Sequence, residues 1–192
     1  MTGENEIATD ALSTHRHEDP APSAPEFAVF RWRDGVDLSE CDAMTAKFCN
    51  DEQRSHVGLL AKAGSRTGGP SRLLFSMPGF SLAHIWFKSG FPLPLHAHDA
   101  DCLYYVIGGS LRMGTQDLAA GDGFFVPSNV PYTYVAGEGG VELLEFRTSN
   151  SFDVTFPTIK RDYWEKLAKT MMAKQADWEG EERPARQFPD FG

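Results

Sequence analysis

The sequence lacks the features that mark several large classes of protein. Its longest apolar runs are only a few residues, whereas a helix needs about 20 apolar residues to cross a bilayer. The first ten residues, MTGENEIATD, contain neither a basic nor an apolar signal region, so no secretory signal is recognisable. Three cysteines (Cys41, Cys49 and Cys102) form neither a disulfide framework nor a CxxC zinc motif. We therefore expect a reduced, cytoplasmic protein that does not associate with membranes.

Positive charge is also scarce. The formal net charge is −9, and most of it lies at the two ends of the chain. Residues 1–26 hold six acids and one arginine, and residues 177–192 hold five acids and two arginines, so the remainder is close to neutral. A neutral body with acidic ends offers no electrostatic footprint for nucleic acid. The chain also lacks a GxSxG nucleophile elbow, a phosphate-binding loop and a dinucleotide fingerprint.

At 192 residues the chain has the length of one ordinary domain with extensions. We divide it into a disordered acidic arm (1–26), a strand and helical segment (27–70), a β-rich body (71–150), a C-terminal helix that packs on the body or on a partner (151–178) and a loose tail (179–192). In the second segment, Phe27–Trp32 is a candidate strand, and the helical pattern runs from Asp37 to Ala63 with Ser39 as its N-cap.

The β-rich body consists of short segments with β-branched and aromatic residues, separated by Gly, Pro, Asn or Asp. Their number and spacing predict an antiparallel sandwich or barrel. The segments are Leu73–Ser76, Leu82–Lys88, Leu103–Ile107, Leu111–Met113, Gly123–Val126, Tyr132–Val135 and Val141–Arg147. After them, apolar residues at three- and four-residue intervals predict a helix from about Lys160 to Asp177.

Two histidines, His96 and His98, lie two residues apart within this body. Alternate residues of a strand face the same side, so both imidazoles would point into the interior, where they would form half of a mononuclear metal site. The same spacing places Cys102 and Tyr104 on that face. A second HxH, His15 and His17, lies in the N-terminal arm with nothing to converge on. The context of a strand, rather than the HxH itself, therefore carries the prediction.

This stretch resembles the cupin superfamily, of the RmlC-like small-barrel kind. In the first cupin motif, Gly90, His96, His98 and Gly109 occur at the family's spacing, but Cys102 replaces the glutamate. The resemblance implies an all-β core with an antiparallel, jelly-roll-like β-barrel, flanked here by helices at both ends. It also implies a small-molecule ligand inside the barrel, and cupins often form homodimers.

The second cupin motif is less complete. Gly121 and Pro127 match it, whereas Tyr132 replaces the histidine ligand. Cys102 is therefore either a soft metal ligand or a buried small apolar residue. Tyr132 is either a phenolate ligand or a pocket residue that donates a hydrogen bond.

The resemblance favours a small-molecule enzyme with one divalent metal (Fe, Mn, Zn or Cu) held by His96 and His98. Cys102, Tyr132, water or substrate would complete the coordination. The metal would serve as a Lewis acid or as an oxygen-binding centre, and Tyr104 would carry a proton, as a tyrosine at this place does in some cupin lyases. We expect an oxygenase-type reaction. The alternatives are a metal-dependent lyase or isomerase, and a non-catalytic ligand-binding or regulatory cupin with an eroded metal site.

Aromatic residues are candidates for the wall of the pocket. Trp86, Phe125 and Tyr134 occur in the predicted strands around the histidine pair. An aromatic wall would suit a small, partly aromatic substrate or organic acid. The alternative is that these rings fill the core of a small barrel.

Overall fold

A computed structural model describes residues 27–158 and 160–186. Its strands are β1 (Val36–Asp37), β2 (Met44–Lys47), β3 (Ser71–Met77), β4 (Phe80–Phe87), β5 (Ala97–His98), β6 (Cys102–Met113), β7 (Gln116–Ala119), β8 (Gly123–Val126), β9 (Val135–Arg147) and β10 (Phe152–Thr155). Its α-helices are α1 (Asp51–Lys62), α2 (Ser65–Gly68) and α3 (Arg161–Trp178). The predicted disordered arm at 1–26 lies outside the described residues.

These strands form two sheets. The larger sheet has the order β1-β3-β4-β9-β6-β7, with β8 also paired to β6, and all its pairs are antiparallel. In the smaller sheet β10 lies between β2 and β5, parallel to β2 and antiparallel to β5. The predicted all-β core with helices at both ends is confirmed. Since β5 carries His98, the smaller sheet helps to position the predicted site.

The alternation of side chains along β6 shows which face of the larger sheet is the interior. Tyr104 and Val106 are fully buried, whereas Leu103 and Tyr105, which alternate with them, are exposed. The strand continues through an irregularity at Gly109, where φ is +69°. A Cβ atom there would collide with the carbonyl oxygen of Gly140, so only glycine fits this bend. The two segments predicted on either side of it are therefore one strand.

Helix α1 begins later than the sequence predicts. Asn50 caps it by accepting a hydrogen bond from the backbone N–H of Gln53, and Gln53 in turn accepts one from the N–H of Cys49. This arrangement differs from a capping box in that the side chain of Gln53 reaches the residue before the N-cap rather than the N-cap itself. The predicted N-cap, Ser39, instead lies in a short 3-10 turn capped by Asp37. The prediction of helix from Asp37 was wrong because Met44–Lys47 pairs with β10 as a strand.

The N-terminal strand is also displaced from its predicted place. Residues 27–31 form no regular element, and a 3-10 turn follows at Trp32–Asp34. The strand that pairs with β3 is Val36–Asp37.

Helix α3 packs against α1 and lies close to its predicted bounds. Its fully buried residues Trp164, Met171 and Trp178 belong to the same apolar core as Leu60 of α1. The helix also fixes the chain next to the histidine pair, because the hydroxyl of Tyr163 accepts a hydrogen bond of 2.7 Å from the backbone N–H of Leu95.

The segment after α3, residues 179–186, is not the loose tail that we predicted. Glu181 accepts hydrogen bonds from the backbone and side chain of Ser89. Arg186 and Arg183 form ion pairs with Glu142, whose side chain is fully buried on the outward face of β9. The prediction failed because the segment is acidic and proline-bearing, while its partners lie far away in the sequence. Residues 187–192 lie outside the described part of the chain.

None of the helices in residues 27–158 and 160–186 combines the length and the apolar character needed to cross a bilayer.

Gln53 connects α1 to the chain segment that follows β10. Its side-chain amide donates to the carbonyl oxygens of Phe156 (2.7 Å) and Thr158 (3.2 Å), and the residue is 1% exposed. Replacing Gln53 with alanine leaves these groups without partners, so we expect the free energy of unfolding to fall by about 1–3 kcal/mol. Urea denaturation measures the change.

The matched control is Gln116→Ala, at an exposed position of β7. We expect this variant to stay within about 0.5 kcal/mol of the wild type. Equal stability of the two variants would contradict a structural role for Gln53.

Candidate functional site

The predicted histidine pair lies inside the barrel. His98 belongs to β5, and His96 precedes it in a backbone bridge with Tyr132. Both side chains are buried, their ring centroids are 4.9 Å apart, and their planes are nearly perpendicular. The structure thus brings together His96, His98 and Tyr132, three of the four predicted metal ligands.

Backbone carbonyls fix the tautomer of both imidazoles. Nδ1 of His96 lies 2.8 Å from the carbonyl oxygen of Pro94, and Nδ1 of His98 lies 2.9 Å from that of Asp153. A carbonyl only accepts hydrogen bonds, so each Nδ1 carries the proton and each Nε2 presents its lone pair. Burial lowers the pKa of His96 to about 4 and that of His98 to about 2, and the charge of Arg147 acts in the same direction. Both rings are therefore neutral at pH 7.

A chain of hydrogen bonds with one direction runs through the site. Nη2 of Arg147 donates to the hydroxyl of Tyr104 (3.2 Å), and Nε2 of His96 lies 2.9 Å from the hydroxyl of Tyr132. The two tyrosine hydroxyls are hydrogen-bonded to each other. Because a guanidinium only donates and Nε2 of His96 only accepts, Tyr104 donates to Tyr132 and Tyr132 donates to His96. The chain ends at the carbonyl of Pro94.

Glu145 and Arg147 are site residues that the sequence analysis missed. They face inward from β9, 6% and 3% exposed, and Nη2 of Arg147 lies 2.7 Å from Oε2 of Glu145. The sequence does contain a signal for them. Glu145 and Arg147 continue the every-second-residue series of the buried Val141 and Leu143, so they lie on the same inward face of β9. Charged residues on the inner stripe of a strand are costly to bury unless they have a function or a partner.

A cavity of about 230 Å³ connects these groups. Its polar wall consists of the histidine pair, the tyrosines Tyr132 and Tyr134, and the ion pair of Glu145 and Arg147. The rest of its lining is mainly apolar. These residues include Leu38, Met44, Ile85, Phe87, Leu93, Val154 and Phe156.

Tyr104 and Cys102 lie beside the cavity rather than in its wall. Both are buried and border a narrow void next to His98 and Tyr132. Burial, reinforced by the charge of Glu145, raises the pKa of the Cys102 thiol to about 12. The same two causes raise the pKa of Tyr104 and of Tyr132 well above the ordinary value. All three groups therefore keep their protons at pH 7.

Two of the three predicted pocket residues lie outside the cavity, and only Tyr134 lines it. Trp86 alternates with the cavity residues Ile85 and Phe87, so it faces the opposite side of β4. Phe125 is 57% exposed. Its neighbour Phe124 points inward and stacks on Tyr104, with ring centroids 4.5 Å apart. Both predictions failed because an error of one residue in a strand places a side chain on the other face.

The predicted set of His96, His98, Cys102 and Tyr132 does not fit a divalent metal as four ligands. The thiol and the phenol are held in their protonated forms, and Nε2 of His96 already accepts the proton of Tyr132. Within the described ranges, no three His, Cys, Asp or Glu side chains form a group that could hold a metal ion. The guanidinium of Arg147 also lies in the same cavity. Only the imidazole pair is presented as metal ligands require.

Comparison with known proteins agrees with this fold. A sequence profile of the cupin family matches residues 76–183. Because this match covers more than half of the chain, the chain belongs to the cupin family, and its barrel is a cupin barrel. Comparison with curated proteins gives no match.

Several solved structures are similar to part of the chain. An RmlC-like cupin from Shewanella frigidimarina is 28% identical, with a TM-score of 0.40, over 43% of this chain and 78% of that one. Oxalate decarboxylase from Bacillus subtilis, which has Mn(II) centres, is 26% identical (TM-score 0.41) over 44% of this chain and 26% of its own. The polyketide cyclase RemF from Streptomyces resistomycificus is 19% identical (TM-score 0.47) over 56% and 84%.

The two neutral imidazoles predict sensitivity to acid. In the unfolded chain they protonate near pH 6.5, whereas in the folded protein they do so near pH 4 and pH 2. Below pH 6.5 the unfolded state therefore binds more protons, and stability falls until the pH reaches the folded pKa values. Between pH 7 and pH 5 we expect each histidine to lower the free energy of unfolding by about 2 kcal/mol. Urea denaturation at the two pH values measures this.

A His98→Asn variant serves as the comparison, because its amide replaces Nδ1 as a donor to Asp153 but does not titrate. We expect this variant to lose about half of the drop that the two histidines cause. A wild-type protein that is equally stable at pH 7 and pH 5 would show that the imidazoles are not buried in neutral form.

Proposed function

We propose that this cupin binds a small, partly apolar organic molecule inside its barrel and holds it by hydrogen bonds, without transferring protons to or from it. The cavity carries this proposal. Its apolar side offers space for a hydrocarbon group, and its polar wall presents fixed donors and acceptors. Pockets of this composition, mostly apolar with a few convergent polar groups, are typical ligand sites.

The protonation states favour binding over acid–base catalysis. A general acid or base works best when its pKa lies near the working pH. Here the pKa values of His96 and His98 are far below 7, and those of Cys102, Tyr104 and Tyr132 are far above it. These groups therefore keep one protonation state at neutral pH. Their value to a ligand is a constant pattern of hydrogen bonds.

Blocking the cavity tests this function. Val154 lines the cavity, and its neighbour Thr155 on β10 is exposed. We expect that compounds found by ligand-observed NMR lose at least about tenfold in affinity in Val154→Phe, because the larger ring occupies their space, and bind normally to Thr155→Phe. They should be recovered chemically unchanged after incubation. Conversion of a bound compound, or equal binding to both variants, would contradict the proposal.

The second candidate is the metal-dependent reaction predicted from the sequence, of oxygenase, lyase or isomerase type. One observation favours it. His96 and His98 are neutral, and each Nδ1 is anchored to a carbonyl, as in the outer shell of many metal-bound histidines. In this case substrate or water would supply the remaining ligands, and His96 would give up its bond to Tyr132.

Elemental analysis decides between the two candidates. The tag-free protein is exposed to Fe, Mn, Zn or Cu under reducing conditions and then desalted. On the first proposal we expect well below one equivalent of any metal, because only two imidazoles are available as ligands. Near one equivalent that is lost in the His96→Ala/His98→Ala variant, but kept in His15→Ala/His17→Ala, would establish the metal-dependent candidate.

A further inference from the structure

Arg147 is buried inside the barrel with most of its hydrogen-bonding capacity unused. Nη2 donates to Glu145 and to Tyr104, which accounts for both of its hydrogens. Nε and Nη1 are buried and have no partner among the described residues. A guanidinium has five N–H donors, so the three on Nε and Nη1 are unpaired. Leaving donors of a charged group unpaired in the interior is costly.

The position of this guanidinium is fixed by its surroundings. Its Cζ lies 4.2 Å from the centroid of the Phe152 ring, and Glu145 and Tyr104 hold Nη2. The side chain lines the same cavity as the histidine pair. An arginine held in this way is already arranged for recognition before any ligand arrives.

The other polar groups of the cavity add to a surplus of donors. The hydroxyl of Tyr134 is buried with no hydrogen-bond partner in residues 27–158 and 160–186, and the residue lines the cavity. On the acceptor side, Nε2 of His98 makes no hydrogen bond within the described part of the chain. A fitting ligand must therefore offer several acceptors and few donors. An ionised carboxylate has this character, since it only accepts.

We propose that the ligand of this cavity is a small carboxylate with an apolar body, whose oxygens accept hydrogen bonds from Arg147 and Tyr134. The inference rests on the proposed function of the same site and specifies its ligand. The apolar body would lie against the hydrocarbon side of the cavity, which includes Ile85, Val154 and Phe156. Glu145 lies in the same wall and offsets the charge of Arg147. Recognition therefore depends on the unpaired N–H groups rather than on net charge.

Paired ligands of equal shape test the inference. Acetate, hexanoate and phenylacetate are titrated into the full chain at pH 7, each beside its neutral amide, by calorimetry or NMR. Each amide keeps the apolar body but replaces one acceptor oxygen with a donor. We expect at least one acid to bind about tenfold to a hundredfold more tightly than its amide, the range for hydrogen bonds to a charged group.

Two variants locate the preference. Arg147→Gln should abolish it. If this variant does not fold, Tyr134→Phe replaces it, because deleting an unpartnered hydroxyl leaves no group unsatisfied and should keep the fold intact. Tyr134→Phe should lower the affinity for the acid about threefold to tenfold. The control Tyr105→Phe, on the outward face of β6, should bind the acid as the wild type does.

The outcomes separate this inference from the proposed function. Amides that bind as well as their acids would overturn the carboxylate assignment and leave the ligand-binding cavity in place. A preference for acids that persists in Tyr134→Phe and in folded Arg147→Gln would also overturn it. If none of the six compounds binds at millimolar concentration, the carboxylate inference fails, while the proposed function is decided by the NMR screen with Val154→Phe.

Discussion

The burial of one guanidinium sets the chemistry of the whole interior. Arg147 is 3% exposed, and its charge adds to the larger effect of burial in lowering the pKa of His96 and of His98. It also begins the hydrogen-bond chain that leads through Tyr104 and Tyr132. The direction of donation is the same along the whole chain. One end is the guanidinium of Arg147, which only donates, and the other is the carbonyl of Pro94, which only accepts. A buried ion pair adds little stability by itself. The ion pair with Glu145 therefore matters more for holding the Arg147 side chain in position than for the stability of the fold.

The helices contribute to this interior through two hydrogen bonds. Tyr163 of α3 holds the backbone at Leu95, directly before His96. Gln53 of α1 holds the chain at Phe156, a cavity residue that follows β10. Both helices therefore hold backbone segments that line or adjoin the cavity. In this cupin the flanking helices shape the cavity as well as the core.

Local patterns in the sequence predict part of this structure well. The spacing of His96 and His98 places both on one face, and the periodicity from Lys160 onward matches α3, because each depends only on near neighbours. Features that depend on register or distant partners could not be predicted. Phe125 was assigned to the face that Phe124 occupies, since the sequence does not show which residue of a short strand faces inward.

Long-range pairing accounts for the remaining differences. Met44–Lys47 is a strand because β10, more than a hundred residues later, pairs with it. Glu145 and Arg147 alternate with buried apolar residues, and this signal was visible. Their place in the site depends on distant partners, because Arg147 donates to Tyr104, and Tyr104 is linked through Tyr132 to His96.

The contacts of residues 179–186 have a consequence for the limits of the folding unit. Glu142 is fully buried on the outward face of β9, and both arginines that pair with it come from this segment. Its hydrogen bonds with His84 and Arg186 outweigh the effect of burial and lower its pKa to about 2, so it is ionised at any ordinary pH. A fragment that ends after β10 would lack Arg183 and Arg186. Of the partners named here, Glu142 would keep only His84, and the face of β9 that the segment covers would be exposed. The packed structure thus extends beyond the barrel strands, through the contacts of this segment with Ser89 and Glu142, to Arg186.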